Sequence, residues 1–289
     1  MTASSPLRWR VGAVTITRVP ELEVTGGSRF LLPEATPDAI LPIAWLRPHF
    51  ADETGRLRMS IHALVIETAD RRILVDTCLG NDKQSRRIPA WNDRHGPFLA
   101  DLAAVGFPPD TIDTVLCTHL HVDHVGWNTM FVDGRWVPTF PQARYLMGRI
   151  EYHHWRDHSE REDHRAIFAD SVAPVFAAGL VDLVETDHVL TPDIDLIPSP
   201  GHTPGHVSVR IRSGGETALI TGDFLHHPCQ MACPHWGTTA DSDVAAARAT
   251  RRRLLAELAD TPTLVIGTHF ATPTAGHVMR DGDAWRLAT

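Results

Sequence analysis

Six consecutive positions, His119-Leu120-His121-Val122-Asp123-His124, place three imidazoles and a carboxylate directly behind the apolar run Ile112-Asp113-Thr114-Val115-Leu116-Cys117-Thr118. The run reads as a short strand, so the polar cluster falls at a strand end. Side chains two apart project the same way from extended backbone, and a tight turn brings the next two round from another side. One loop can then feed two adjacent metal ions. The alternative is a solvated His-rich turn.

Three later segments carry the partners such a site needs. Pro198-Ser199-Pro200-Gly201-His202-Thr203-Pro204-Gly205-His206 follows the strand candidate Ile194 to Ile197, which puts His202 on a loop shaped by Gly and Pro. Thr217-Ala218-Leu219-Ile220-Thr221-Gly222-Asp223 sets Asp223 at another strand end, and Thr263-Leu264-Val265-Ile266-Gly267-Thr268-His269 does the same for His269. A single His or Gly-Asp at a strand end is usually structural; the ordered set reverses that reading.

The ordered set His-X-His-X-Asp-His, His, Asp, His resembles the metallo-β-lactamase superfamily, and all seven positions match. The resemblance runs from Leu74-Val75-Asp76-Thr77 to His269 and implies an α/β fold, an αββα sandwich of two mixed β-sheets flanked by helices. It also implies that His119, His121 and His202 hold one metal and Asp123, His124 and His269 a second, with Asp223 bridging. Asp76 is a candidate acceptor for an imidazole N–H behind the ligands. Within the superfamily, Gly126-Trp127-Asn128 and Gly222-Asp223-Phe224-Leu225-His226-His227-Pro228 resemble lactonase-like and methyl-parathion-hydrolase-like members.

Two divalent ions about 3.5 to 4 Å apart can share a hydroxide near neutral pH and polarise a carbonyl or phosphoryl oxygen. Imidazole and carboxylate donors suit zinc first, with iron, manganese or cobalt as other occupants. The expected activity is a dinuclear, metal-dependent hydrolase that opens a lactone or related carboxylic ester. Asp123 and Asp223 are its catalytic carboxylates, and Asp123 passes a proton to the leaving group. A phosphotriester is the main alternative substrate. β-Lactamases with a cysteine ligand have Cys where this chain has Asp223, and the diiron flavoproteins have Glu where it has His121. A mononuclear iron enzyme resembling persulfide dioxygenases, and a metal-containing binding or sensing protein with little turnover, remain as other readings. Related lactonases often use a tyrosine on the carbonyl oxygen, whereas this chain has only Tyr145 and Tyr152.

Composition narrows the partners. With net charge −8, a single lysine (Lys83) and no basic cluster larger than Arg251-Arg252-Arg253, the chain lacks the polycationic track that nucleic acid requires. That cluster reads as the solvated face of a helix from Asp241 to Ala259. No apolar run approaches the roughly 18 residues of a membrane span, and Met1 to Arg10 contains no apolar signal core, so a cytoplasmic location is expected. Cys78, Cys117, Cys229 and Cys233 are too scattered for a disulfide framework and read as reduced, packed thiols. The chain reads as one domain over residues 1–289, acting on a small ester-like substrate. From the resemblance it is expected to be a homodimer.

Other segments give local expectations. Residues 20–60 hold five prolines together with Phe30, Trp45 and Phe50. They read as an irregular arm that either packs on its own domain or lines the mouth of the site. Strands are expected at Val11 to Arg18, Ile61 to Thr68 and Arg72 to Asp76, a hairpin across Asp133-Gly134, and a helical stretch from Arg149 to Gly179. His153, His154, His158 and His164 on that stretch are expected to be exposed. Trp127, Phe140 and Trp155 are candidate pocket walls, and His226 and His227 are candidates for orienting substrate.

Overall fold

Within residues 58–67, Arg-Met-Ser-Ile-His-Ala-Leu-Val-Ile-Glu, the run Ala63-Leu64-Val65-Ile66 is apolar at successive rather than alternate positions, a composition that suits a strand covered on both faces. In a computed structural model of the chain, which describes residues 6–157 and 161–289, eight of these ten residues are buried. The expectations for Met1 to Ser5 and for His158 lie outside the described residues.

The chain forms two compact units, one of residues 1–21 and 61–185, the other of residues 22–60 and 186–289. The seven-stranded sheet associated with the first comprises β1 (Arg8–Val11), β2 (Val14–Thr25), β3 (Arg58–Glu67), β4 (Arg72–Val75), β5 (Thr114–Leu116), β8 (Arg144–Gly148) and β9 (Val181–Val184), in that order. β3 and β4 pair antiparallel, whereas β4, β5, β8 and β9 run parallel. The expected strand at Val11 to Arg18 is two strands: Gly12 and Ala13 form a two-residue hairpin loop, with Val11 opposite Val14. The hairpin across Asp133-Gly134 is β6 (Thr129–Val132) and β7 (Arg135–Pro138).

The second sheet takes its strands in sequence order: β10 (Val189–Thr191), β11 (Ile194–Pro198), β12 (Val207–Ser213), β13 (Glu216–Ile220), β14 (Leu264–Ile266), β15 (Ala275–Asp281) and β16 (Ala284–Ala288). It is antiparallel except for β13 beside β14. Within residues 20–60, Ile40 of the short helix α1 (Pro37–Ile40), Leu46 of the 3-10 turn Ala44–Leu46 and Phe50 just beyond it are buried in the same core as Leu254, Leu255 and Trp285.

The other helices are α2 (Phe98–Ala104), α3 (Val122–Val125), α4 (Arg149–Asp157), α5 (Glu162–Ile167), α6 (Ala173–Ala177), α7 (Cys229–Ala232) and α8 (Val244–Leu258). The stretch from Arg149 to Gly179 is therefore not one helix. Phe168–Val172 is a π turn between α5 and α6. Pro174 supplies no N–H to the carbonyl of Asp170 four residues back, and that carbonyl instead accepts from the Thr129 hydroxyl and, at 3.2 Å, from Lys83 Nζ. Lys83 is buried, with its nitrogen 3.7 Å from the Trp136 ring centroid and 3.6 Å from Asp170 Oδ1. Burial pushes its pKa down to about 7, against the raising effect of Asp170.

α8 starts on Asp243, whose carboxylate accepts from the Ala246 N–H at 3.0 Å. Its buried face carries Ala247, Arg251, Leu254, Leu255 and Leu258. Arg251 therefore corrects the expectation of a solvated basic face. It is fully buried and donates to the carbonyls of Phe224, Pro234 and Trp236 at 3.0, 3.2 and 2.6 Å. All four cysteines are free thiols, three of them buried. Among the described residues, no helix is long and apolar enough to cross a membrane.

Candidate metal centre

In the first unit, β5 ends at Leu116, and the Cys117 N–H still pairs with the Leu146 carbonyl before the chain turns away. His119, His121, Asp123 and His124 fall on this turn and on the single helical turn α3. His119 Nε2 and His121 Nδ1 lie 3.1 Å apart, and His124 Nε2 is 3.8 Å from Asp123 Oδ1. Two ring nitrogens this close need a proton or a cation between them.

The other nitrogens of His119 and His124 are held from behind. Asp76 Oδ2 is 2.9 Å from His124 Nδ1. Both Asp76 oxygens also accept from the Thr118 hydroxyl, at 3.1 and 2.9 Å, and that hydroxyl is 3.1 Å from His119 Nδ1. One buried carboxylate thus fixes two imidazoles, a common arrangement behind metal ligands. Buried Glu151 accepts from the Leu120 N–H at 3.2 Å and from the Trp155 indole at 2.5 Å. Trp155 in turn stands edge-on to His121, with ring centroids 5.1 Å apart.

The second unit brings His202, Asp223 and His269 together without help from neighbouring sequence. Asp223 Oδ2 is 3.4 Å from His202 Nε2, and its Oδ1 is 3.2 Å from His269 Nε2. The two oxygens of one carboxylate therefore face different imidazoles. His202 Nδ1 rests on Asp241 at 2.9 Å, and His269 Nδ1 on the Ser60 carbonyl at 2.9 Å. Burial alone would raise the Asp241 carboxyl, but its hydrogen bond to His202, the neighbouring imidazoles and the Thr238 N–H bring it down to about 2.

The candidate substrate residues separate. His226 Nε2 is 3.1 Å from Asp223 Oδ2, and the ligand atoms of His202, Asp223 and His226 all lie within 4.8 Å of one another. His227 is buried elsewhere, 2.9 Å from the Phe50 carbonyl and accepting from the Cys229 N–H, and burial brings its pKa to about 4. Trp127 stacks on Phe98 at 5.8 Å and donates its indole N–H to Glu21 at 2.7 Å. Phe140 is fully buried, and its N–H meets the Tyr145 hydroxyl at 3.1 Å. Both rings pack inside the first unit. Tyr145 and Tyr152 do likewise, Tyr145 donating to the Asn128 carbonyl and Tyr152 stacking on Phe176. His153, His154 and His164 are half-buried rather than exposed, because the Trp155 ring draws His154 and His164 against it, at 5.0 and 4.8 Å.

Sequence reading missed Thr118, Glu151 and Asp241 as hydrogen-bond partners around these side chains.

The donor chemistry fits divalent metal. Two ligands about 2.0 to 2.1 Å from one tetrahedral zinc stand about 3.3 Å apart. The pairs His119/His121, His202/Asp223 and Asp223/His269 lie at 3.1, 3.4 and 3.2 Å. Imidazoles anchored on their far nitrogens, beside carboxylates at the strand ends of mixed sheets, are the equipment of an α/β metalloenzyme. The chain belongs to the metallo-β-lactamase superfamily, whose profile matches residues 56–269, and it has that family's fold. It is a metal-dependent hydrolase. An N-acyl homoserine lactonase of Bacillus sp. is 25% identical over 204 residues, 65% of this chain and 73% of the relative. Two solved structures share the fold. The hydrolase AbOPH is 23% identical, with 99% of this chain and 98% of that one covered at a TM-score of 0.80. The dizinc quorum-quenching lactonase AidC, bound to a product, is 22% identical, with 97% and 96% covered at 0.77.

Proposed function

We propose that the protein is a dinuclear hydrolase that opens a lactone or a related carboxylic ester. The observation that carries this reading is Asp223, one carboxylate whose two oxygens face two separately anchored imidazoles, His202 and His269. A bridging carboxylate needs that disposition. On the family's motif order, His119, His121 and His202 hold one ion and Asp123, His124 and His269 the other. The donor set favours zinc, and the AidC structure is described as dizinc. When bound, the ions supply a water nucleophile active near neutral pH and polarise the ester carbonyl.

The chain's own groups do the rest. Asp76, Thr118 and Asp241 hold the imidazoles in one tautomer and orientation. Asp123, half-buried, would take on its carboxylate the proton given up by the water nucleophile and pass it to the alkoxide released when the ester C–O bond breaks. Lactone is the first choice of substrate because the Bacillus relative is named for it. A homodimer belongs to the same reading, rests on the family resemblance, and is checked by sedimentation velocity.

The test is metal content per chain, measured beside hydrolysis of an N-acyl homoserine lactone, an aryl ester and a phosphotriester before and after chelation. About two ions and chelator-sensitive lactone opening are expected. A faster phosphotriester reaction replaces the substrate class, and one iron with no hydrolysis overturns the reading.

A further inference from the structure

His206 takes no part in the ligand set, yet its ring is fully buried behind Asp223. Its Nε2 accepts from the backbone N–H of Asp223 at 2.6 Å. That nitrogen therefore carries no proton, and the proton of the neutral ring sits on Nδ1. Nδ1 faces the carbonyl and hydroxyl of Ser199, at 3.0 and 2.8 Å. The Ser199 hydroxyl lies 3.0 Å from that of Ser208, which donates to the Thr221 carbonyl at 2.7 Å. The end of β11, the start of β12 and the end of β13 are thus tied by one buried polar chain that ends on the Asp223 amide.

The residue before Asp223 fits the same design. Gly222 has φ +56°, and a Cβ there would lie 2.5 Å from His206 Nε2. Asp223 itself has non-helical backbone angles, φ −102° and ψ 16°, inside a 3-10 turn.

We propose that His206 is a positioning residue: by accepting the Asp223 N–H it sets the backbone from which the carboxylate spans His202 and His269. The proposal deepens the bridging role assigned to Asp223 above and rests on that reading.

The two nitrogens of the ring can be tested separately. In His206→Gln the side-chain oxygen reaches the depth of Nε2 and can still accept from Asp223. In His206→Asn the amide reaches only the depth of Nδ1, keeping the Ser199 contact and abandoning Asp223. Zinc affinity, measured by competition with a chromogenic chelator, is expected to stay within about threefold of wild type in the Gln variant. It is expected to fall about 10- to 100-fold in the Asn variant, the usual effect of removing a support behind the ligands. Gly222→Ala, which drives a methyl group onto the same nitrogen, is expected to match Asn. Cobalt-substituted protein gives an independent readout, since its visible ligand-field bands should change in the Asn variant and not in Gln.

A metal-free measurement separates this proposal from the hydrolase reading. Nitrogen-15 spectra of the wild type should show His206 as the neutral Nδ1–H tautomer, and the Asp223 amide should be protected from exchange in wild type and Gln but not in Asn. Absence of ester hydrolysis alongside this pattern would reject the substrate and leave His206 in place. An Nε2–H tautomer, or Gln and Asn variants that lose zinc equally and in step with their melting temperatures, would overturn the positioning role.

Discussion

At the scale of single residues, Asp223 carries the strongest expectation. Asp223→Ala removes the carboxylate whose two oxygens face His202 and His269, so loss of one or both ions and of nearly all hydrolysis is expected. Elemental analysis of the purified variant checks it, and a fully active two-metal variant would exclude bridging. Asp241→Ala leaves His202 Nδ1 without its carboxylate. Metal affinity should drop about 10- to 100-fold while the fold persists, as competition titration beside circular dichroism would show. The seven candidate ligands could be picked from the sequence because four of them share one six-residue motif and the rest follow recognisable strand ends. Of the groups behind them, Asp76 was legible at its strand end and does meet His124, but Asp241 lies 39 positions from His202, and no periodicity links such a pair. Nor does nearness to a motif give an aromatic residue's surroundings: Trp127 follows the motif by three positions, and its ring fits against Phe98 while its N–H meets Glu21.

At the scale of elements, the loops beyond the strands matter more than the strands themselves. Gly201 has φ +125°, and a Cβ there would approach the Ala247 nitrogen of α8 to 2.2 Å. Gly201→Ala should therefore destabilise by more than about 2 kcal/mol and move the His202 loop. Differential scanning calorimetry gives the first quantity and zinc affinity the second. The segment from Arg149 to Gly179 shows where pattern reading fails. Its apolar spacing is helical throughout, but Pro174 frees the Asp170 carbonyl for Lys83 and Thr129, and a π turn results. The Lys83 side of that contact has a pH signature. Its folded pKa, about 7, lies below the ordinary 10.5. Between those values the unfolded chain binds a proton that the folded chain does not, so this group makes stability rise with pH across that window. Lys83→Met should flatten the rise in melting temperature between pH 7 and 10, and an unchanged slope would contradict the assignment.

At the scale of the whole molecule, the chain passes between its two units at residues 21–22, 60–61 and 185–186. A fragment of residues 61–185 would leave β1, β2 and the start of β3 behind, so it should show no cooperative melting transition by circular dichroism. Metal and folding are also linked. At free zinc 100 times the dissociation constant, each ion adds about 2.7 kcal/mol to stability, so chelation should lower the melting temperature in step with metal loss. The α/β class was legible through the resemblance carried by the His-X-His-X-Asp-His motif and its partners, but the discontinuous units were not, because only tertiary contacts decide which sheet gathers residues 20–60. The burial of Lys83, the single lysine of the sequence, reaches beyond stability. The folded protein offers no ε-amine to solvent, so amine-reactive dyes, resins and acylating agents meet no lysine until the chain opens. Attachment at residue 83, followed by mass spectrometry, then serves as a clock for that opening.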